Sequence, residues 1–263
     1  MTASGIWQSG TGYEGYVGRW SRLVAKAFIE RLDVPTGARW VDVGCGTGAV
    51  TETILAQAAP ASVVGIDPSD AFVGYARAHV SDPRASFEVG DGAALPLPDD
   101  ATDAAVSGLV LNFVHDPVGM LAEMRRVTRA EGRVGVYVWD YAEGMAIMRH
   151  FWDAAIEQDP EVADKAESLQ FSICRPGPLR EAFERAGLRG TKVAPIDIPT
   201  VFRDFDDYWQ PFLMATAPAP RHAMSLSEAD REDLRQRLQA RLPTEADGSI
   251  HLVARAWSAS ATV

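Results

Sequence analysis

The stretch Val41-Asp42-Val43-Gly44-Cys45-Gly46-Thr47-Gly48-Ala49 gathers residue types that suit a polar ligand. Glycines let the backbone take positive φ and let a ligand approach without interference from a Cβ. A helix starting after them offers free N–H groups and the positive end of its dipole. Further along, Asp67 closes one short apolar run, Asp91 follows another, and His115 with Asp116 follows a third. Taken alone the turn is ambiguous. Gly44, Gly46 and Ala49 satisfy the dinucleotide fingerprint, with Asp67 where a ribose-binding acid would sit. Asp42 argues against that, because a pyrophosphate gains nothing from a carboxylate so near. S-adenosylmethionine has no phosphate. It carries a sulfonium, an ammonium, a carboxylate, a ribose diol and an adenine amine, and acceptors at successive strand ends match it. In this assignment Asp67 takes the ribose hydroxyls, Asp91 the adenine amine, and Asp42 the ammonium, directly or through water. The turn N–H groups face the carboxylate, and His115 is the general base for an acidic acceptor. Each residue also has an ordinary role open to it: Asp67 as a helix cap, Asp91 as a turn residue, Asp42 as a cap of the glycine turn, His115 as a surface histidine.

These residues must be positioned by alternating elements. Trp20, Leu23, Val24, Ala27, Phe28 and Leu32 form one apolar stripe, and Pro35 with Gly37 ends it, so residues 20 to 33 read as an amphipathic helix. Strands are expected at 39 to 43, 62 to 66, 86 to 89, 104 to 110 and 133 to 139, with helical patterns between them. Strand and helix in alternation predict a doubly wound parallel sheet, which binds ligands at the carboxyl ends of its strands beside the topological switch. A helix from Met145 to Ile156 and another from Pro178 to Ala186 follow. Two extended stretches, Thr191 to Phe202 and Ser249 to Ala259, are expected to pair antiparallel at one sheet edge, with a helical excursion between them. The organisation expected is a segment 1–36 followed by one domain, 37–263, with helical insertions near 144–174 and 203–248.

The whole-chain balance limits the partners. Of 263 residues, 25 are Lys or Arg and 36 are Asp or Glu, a formal net charge of −11. That opposes non-specific attraction to nucleic acid or anionic lipid, so neither is expected as a partner. No window approaches a spanning helix and the start lacks a signal-peptide pattern, which makes a cytoplasmic location the expectation. Cys45 and Cys174 have no C-x-x-C spacing and read as reduced thiols. No histidine set has ligand spacing, and no metal is expected.

Four blocks, V-D-V-G-C-G-T-G (41–48), G-I-D-P-S (65–69), G-D-G-A-A-L-P-L-P-D (90–99) and D-A-A-V-S-G-L-V-L-N-F (103–113), stand in an order and spacing that resemble class I S-adenosylmethionine-dependent methyltransferases. The nearest branch is that of bacterial small-molecule, quinone-biosynthesis-like enzymes. The resemblance is strong over residues 37 to 140 and extends to Y-E-G-Y-V-G-R-W-S-R (13–22) and F-D-D-Y-W-Q-P-F-L (205–213). It implies a Rossmann-like seven-stranded sheet with an antiparallel edge strand and an N-terminal helical lid over the cofactor, with Tyr13 or Arg19 on its carboxylate. It also implies cofactor contacts from Asp42, Gly44, Cys45 and Gly46, from Asp67, Pro68 and Ser69, from Asp91, Gly92 and Ala93, and from Ser107, Gly108 and Leu109. The implied activity is methyl transfer to oxygen, nitrogen or carbon of a small acceptor. An NAD-dependent oxidoreductase would need a Tyr-x-x-x-Lys or comparable pair, and no Y-x-x-x-K occurs. A non-catalytic protein that binds S-adenosylmethionine is the remaining alternative.

Overall fold

A computed structural model describes residues 19–214 and 217–263. Helix α1 (Arg19–Leu32) precedes the sheet and buries Trp20, Val24, Phe28 and Leu32 of the expected apolar stripe together with Ala25 and Ile29, while Leu23, also expected on it, is exposed and Ala27 is half-buried. It lies close against the sheet because position 135 is glycine. A Cβ there would stand 2.6 Å from Leu32 Cδ2 and 3.0 Å from Phe28 Cζ. This helix is therefore a packing element of the core, and the segment before it, with Tyr13, lies outside the described residues.

Strands β1 (Arg39–Val43), β2 (Ser62–Asp67), β3 (Ala85–Val89), β4 (Thr102–Gly108) and β5 (Thr128–Trp139) alternate with helices α2 (Ala49–Gln57), α3 (Asp70–His79) and α4 (Pro117–Val127). All neighbours among these strands pair parallel. β1, β4 and the second half of β5 are almost wholly buried, as expected for parallel strands covered on both faces. Local chemistry sets the helix starts. Ser69 accepts the Phe72 N–H ahead of α3, and Asp116 accepts the Gly119 N–H at 2.8 Å ahead of α4, whose first residue is proline.

Several boundaries differ from the sequence expectation by one to five residues, two of them for a clear backbone reason. β4 ends at Gly108 rather than at residue 110 because Leu109 turns into the left-handed region, at φ 62°, and donates its N–H to Tyr137 O at 2.8 Å. β5 starts five residues before Arg133, and the expected turn at Glu131 survives as a left-handed residue within the strand, φ 63°.

After β5 come α5 (Ala146–Gln158), a 3₁₀ segment (Pro160–Lys165), α6 (Glu167–Gln170) and α7 (Pro176–Arg185). Strands β6 (Arg189–Phe202) and β7 (Ile250–Thr262) close the sheet in the order β3-β2-β1-β4-β5-β7-β6, both β7 pairings being antiparallel. The segment between them carries α8 (Phe205–Trp209), α9 (Pro218–Ser225) and α10 (Glu228–Arg241). One core cluster joins α1, α5 and the α8–α10 segment over one face of the sheet, and a second joins α4 and α7 over the other. No described helix is long and apolar enough to cross a membrane.

Candidate active site

The glycine turn leaves β1 with Gly44 at φ 75°, Gly46 at φ 53° and Gly48 at φ 92°, three successive excursions that a side chain would resist. A Cβ on Gly44 would also meet Val110 Cγ2 at 2.6 Å, so the turn and the end of β4 touch only because residue 44 has no side chain. The turn's N–H groups are engaged internally. Gly44 and Cys45 donate to Ile66 O at 2.7 and 3.1 Å, Gly48 to Cys45 O at 2.9 Å, and Gly46 to Asp67 Oδ2 at 2.9 Å. The expectation that these groups face a ligand carboxylate is therefore corrected for those four donors: they tie the turn to β2.

Asp67 organises this junction. Its Oδ1 accepts the Ser69 N–H at 2.9 Å while Oδ2 holds Gly46, so one carboxylate fixes both the glycine turn and the start of α3. It is 7% exposed, and burial pushes its pKa up, against the two N–H bonds that favour its charge. Each oxygen keeps a lone pair beyond its backbone bond. Asp42, on β1 two residues before Gly44, is fully buried. Thr51 Oγ1 donates to its Oδ2 at 2.8 Å, but Oδ1 is buried without a hydrogen-bond partner among the described residues. Burial pushes its pKa to about 7, the Thr51 bond acting in the other direction. Asp42 thus caps Thr51 on α2, and none of the glycine-turn donors.

A cavity of about 1070 Å³ opens above these residues. Its floor comes from the carboxyl ends of the four parallel strands β1 to β4: Val43 and Gly44, Pro68, Asp91-Gly92-Ala93, Val110, and Asn112 through Asp116. That is the crevice position at the topological switch between β1 and β4. Asp91 is exposed and accepts the Ala93 N–H at 2.9 Å, and His115, also exposed, stands at the β4 side of the same cavity. The structure therefore brings Gly44, Pro68, Asp91, Gly92, Ala93 and His115 together around one space. Asp42, Cys45, Gly46, Asp67 and Ser69 form the layer beneath. Ser107 is buried with its Oγ unpartnered among the described residues, Gly108 gives way to the Tyr137 hydroxyl, and Leu109 is buried. These three shape the β4 end without lining the cavity.

Arg19 stands elsewhere. Its guanidinium lies 4.5 Å from the Trp20 ring centre and 4.9 Å from that of Phe202, and it pairs with Asp207 on α8 at 3.0 Å. Its Nη1 joins α1 to the late insertion, 188 residues apart in sequence, while Nε and Nη2 are buried without a partner among the described residues.

The roof is the part that sequence reasoning missed. Lys165, Gln170 and Phe171 come from the insertion after β5, and Pro218, Arg221, His222 and Ser225 from α9. Glu167 clamps the two pieces. It is buried, accepts the Ala219 N–H at 3.2 Å with Oε1 and the Trp152 indole N–H with Oε2, and burial pushes its pKa up. His222 is 6% exposed, lies against Trp152 with ring centres 5.6 Å apart, and its Nδ1 is enclosed without a partner among the described residues. Burial, with Lys165 facing it, lowers its pKa and so favours the neutral ring. A Pro-Ala-Pro start announces α9, but no spacing rule connects it to the glycine turn.

Residues 41–136 match the family described as "Methyltransferase domain". An uncharacterized 37.1 kDa transposon protein of Streptomyces fradiae is 32% identical over 70% of this chain and 52% of its own length. The demethylmenaquinone methyltransferase of Renibacterium salmoninarum is 29% identical over 59% of this chain and 62% of the enzyme. The chain thus spans between half and two thirds of these relatives. Among solved structures, a putative methyltransferase from an antibiotic biosynthesis pathway of Anabaena variabilis superposes with a TM-score of 0.62 over 92% of this chain and 97% of that one, at 20% identity, a likeness of fold. Strands β1 to β5, the glycine turn and the floor of the cavity fall almost entirely within 41–136, the segment that matches the methyltransferase-domain model, and the chain shares its fold with that solved structure.

Proposed function

We propose that the chain transfers a methyl group from S-adenosylmethionine to oxygen, nitrogen or carbon of a small organic acceptor by in-line displacement. The observation that carries this reading is the cavity at the carboxyl ends of β1 to β4, floored by the glycine turn and by Asp91 within the matched methyltransferase domain. The residues fit the donor. Asp42 Oδ1 is a buried acceptor without a partner among the described residues, beneath the turn, and suits an ammonium group. Asp67 keeps lone pairs for a ribose diol, and Asp91 is open for an adenine amine, with Pro68, Ser69, Gly92 and Ala93 shaping the nucleoside's surroundings. The β4 end from Ser107 to Leu109 gives the β4-side wall its shape.

When bound, the sulfonium supplies a methyl group already activated for displacement. The chain's own work is to align the acceptor with that methyl and to keep water out. The roof of Phe171, Pro218 and His222 closes the cavity opposite the floor, and Phe113 and Val114 provide an apolar wall. His115, exposed beside that wall, is placed to take a proton from a hydroxyl acceptor.

Calorimetric titration tests the reading. S-adenosylhomocysteine is expected to bind at micromolar affinity and NAD not at all. Binding of NAD in its place would overturn it, as would failure to form S-adenosylhomocysteine from S-adenosylmethionine with a panel of phenols, acids and amines.

A further inference from the structure

The two ends of the cavity differ in charge. The floor offers carboxylates and glycine-turn backbone, and its two acidic liners are engaged: Asp91 with the Ala93 N–H, Asp116 with the Gly119 N–H. The roof carries Lys165, Arg221 and His222. Lys165 makes no ion pair among the described residues, although carboxylates outnumber cations 36 to 25 in the chain, and it faces His222 electrostatically. His222 is buried against Trp152 and Phe151, with Nδ1 sealed, so the Nε2 side of the ring is the one left for the cavity. The charged groups facing this ring are Lys165, which disfavours its protonation, and Asp159, which favours it weakly. Arg221 is the residue before it on α9. Glu167 holds that helix through the Ala219 N–H.

A pocket that turns a cation and a buried imidazole edge inward, on a scaffold of net negative charge, is built for an anionic group. We propose that the roof formed by Lys165 and His222 is the acceptor subsite, and that it selects small acceptors bearing a carboxylate or phosphate on an apolar body seated against Phe113 and Phe171. The proposal rests on the methyltransferase reading, since it assigns the half of the cavity that the donor leaves. The anion accepts hydrogen bonds from the Lys165 ammonium and from His222 Nε2–H. The donor's positive centre stays at the floor, so the two ligands meet with opposite charges facing. An anion here also offsets the effect of Lys165 on His222, so its binding favours protonation of the ring.

The test uses the full chain saturated with S-adenosylhomocysteine and three probes: 4-hydroxybenzoate, its neutral analogue 4-hydroxybenzamide, and phenyl phosphate. By calorimetry, at least one of the two anions is expected to bind tenfold or more tightly than the amide, and the better anion identifies carboxylate or phosphate as the group selected. Lys165→Met, at an exposed position where folding is not at risk, is expected to abolish that preference while S-adenosylhomocysteine affinity is unchanged. His222→Gln is expected to reduce it several-fold and to remove the proton uptake seen when titrations are repeated in buffers of different ionisation enthalpy. Equal binding of anions and amide, or a preference that survives Lys165→Met, would overturn the subsite. Absence of S-adenosylhomocysteine binding in the unmodified chain would instead overturn the methyl-donor reading, so the two failures are distinguishable.

Discussion

Asp67 and Asp42 are both carboxylates near the glycine turn, yet their environments give them different work. Asp67 uses both oxygens on backbone N–H groups and still has lone pairs to spare, so its removal loosens the turn as well as any ligand. Asp67→Ala is expected to weaken S-adenosylhomocysteine binding by about 1–3 kcal/mol through lost charge-assisted bonds, read by calorimetry. Gly44→Ala is the sharper steric test. It would force φ 75° on a residue with a Cβ and drive that Cβ to 2.6 Å from Val110, and roughly 2 kcal/mol or more of stability should be lost in urea unfolding. Asp42 is a matter of proton linkage. Its folded pKa of about 7 lies above the ordinary carboxylate value, so the protonated acid is the form that folding favours. Stability from this group is fully present below about pH 4 and is lost as pH rises toward 7. Asp42→Asn mimics the protonated acid at all pH. The variant should therefore gain on the parent by roughly 2–3 kcal/mol between pH 5 and 7.5 in denaturant unfolding. A constant difference across that range would show that Asp42 titrates normally.

At the level of elements, the division between what the sequence reveals and what it conceals follows contact distance. Strand β1, the glycine turn and α2 are contiguous, and the apolar run, the glycines and Val50 with Ile54 announce them locally. The same holds for Ser69 ahead of α3 and Asp116 ahead of α4. The pairing of β6 with β7 is legible from two extended stretches, but the wedging of β7 between β5 and β6 depends on backbone pairing across the whole sheet. The roof is illegible for the same reason. Arg19 reads as a cation near an aromatic lid until the fold brings Asp207 to it. His222 has no distinguishing spacing in the sequence until Glu167 pulls the start of α9 over the cavity. That clamp is testable. Glu167→Ala leaves the Trp152 indole N–H and the Ala219 N–H buried without partners, at a cost of about 2–4 kcal/mol. Hydrogen exchange should accelerate through residues 219–225, and binding of an acidic acceptor probe should weaken. S-adenosylhomocysteine affinity should hold, because the floor contacts from β1 to β3 do not involve α9. Equal losses for both ligands would mean that roof and floor are a single cooperative unit.

Over the whole molecule, two halves of unlike origin enclose one cavity. The parallel strands supply a floor of fixed carboxylates and backbone, and the insertions after β5 and β6 supply a roof that can vary without disturbing the sheet. A ligand that bound only the folded chain at a hundredfold its dissociation constant would add about 2.7 kcal/mol, which for a chain of this size raises Tm by roughly 5–10 °C. S-adenosylhomocysteine should produce that shift and NAD should not. The net charge of −11 makes a further prediction about rates. An anionic acceptor approaches a like-charged surface and is attracted only within a few ångströms of the roof cations, inside the Debye length of about 8 Å at physiological salt. Added salt screens the long-range repulsion more than the short-range attraction. Stopped-flow association of an acidic probe should therefore speed up as ionic strength rises from 20 to 200 mM, whereas association governed by an extended basic surface would slow, and that outcome would place the acceptor's entry somewhere other than this cavity.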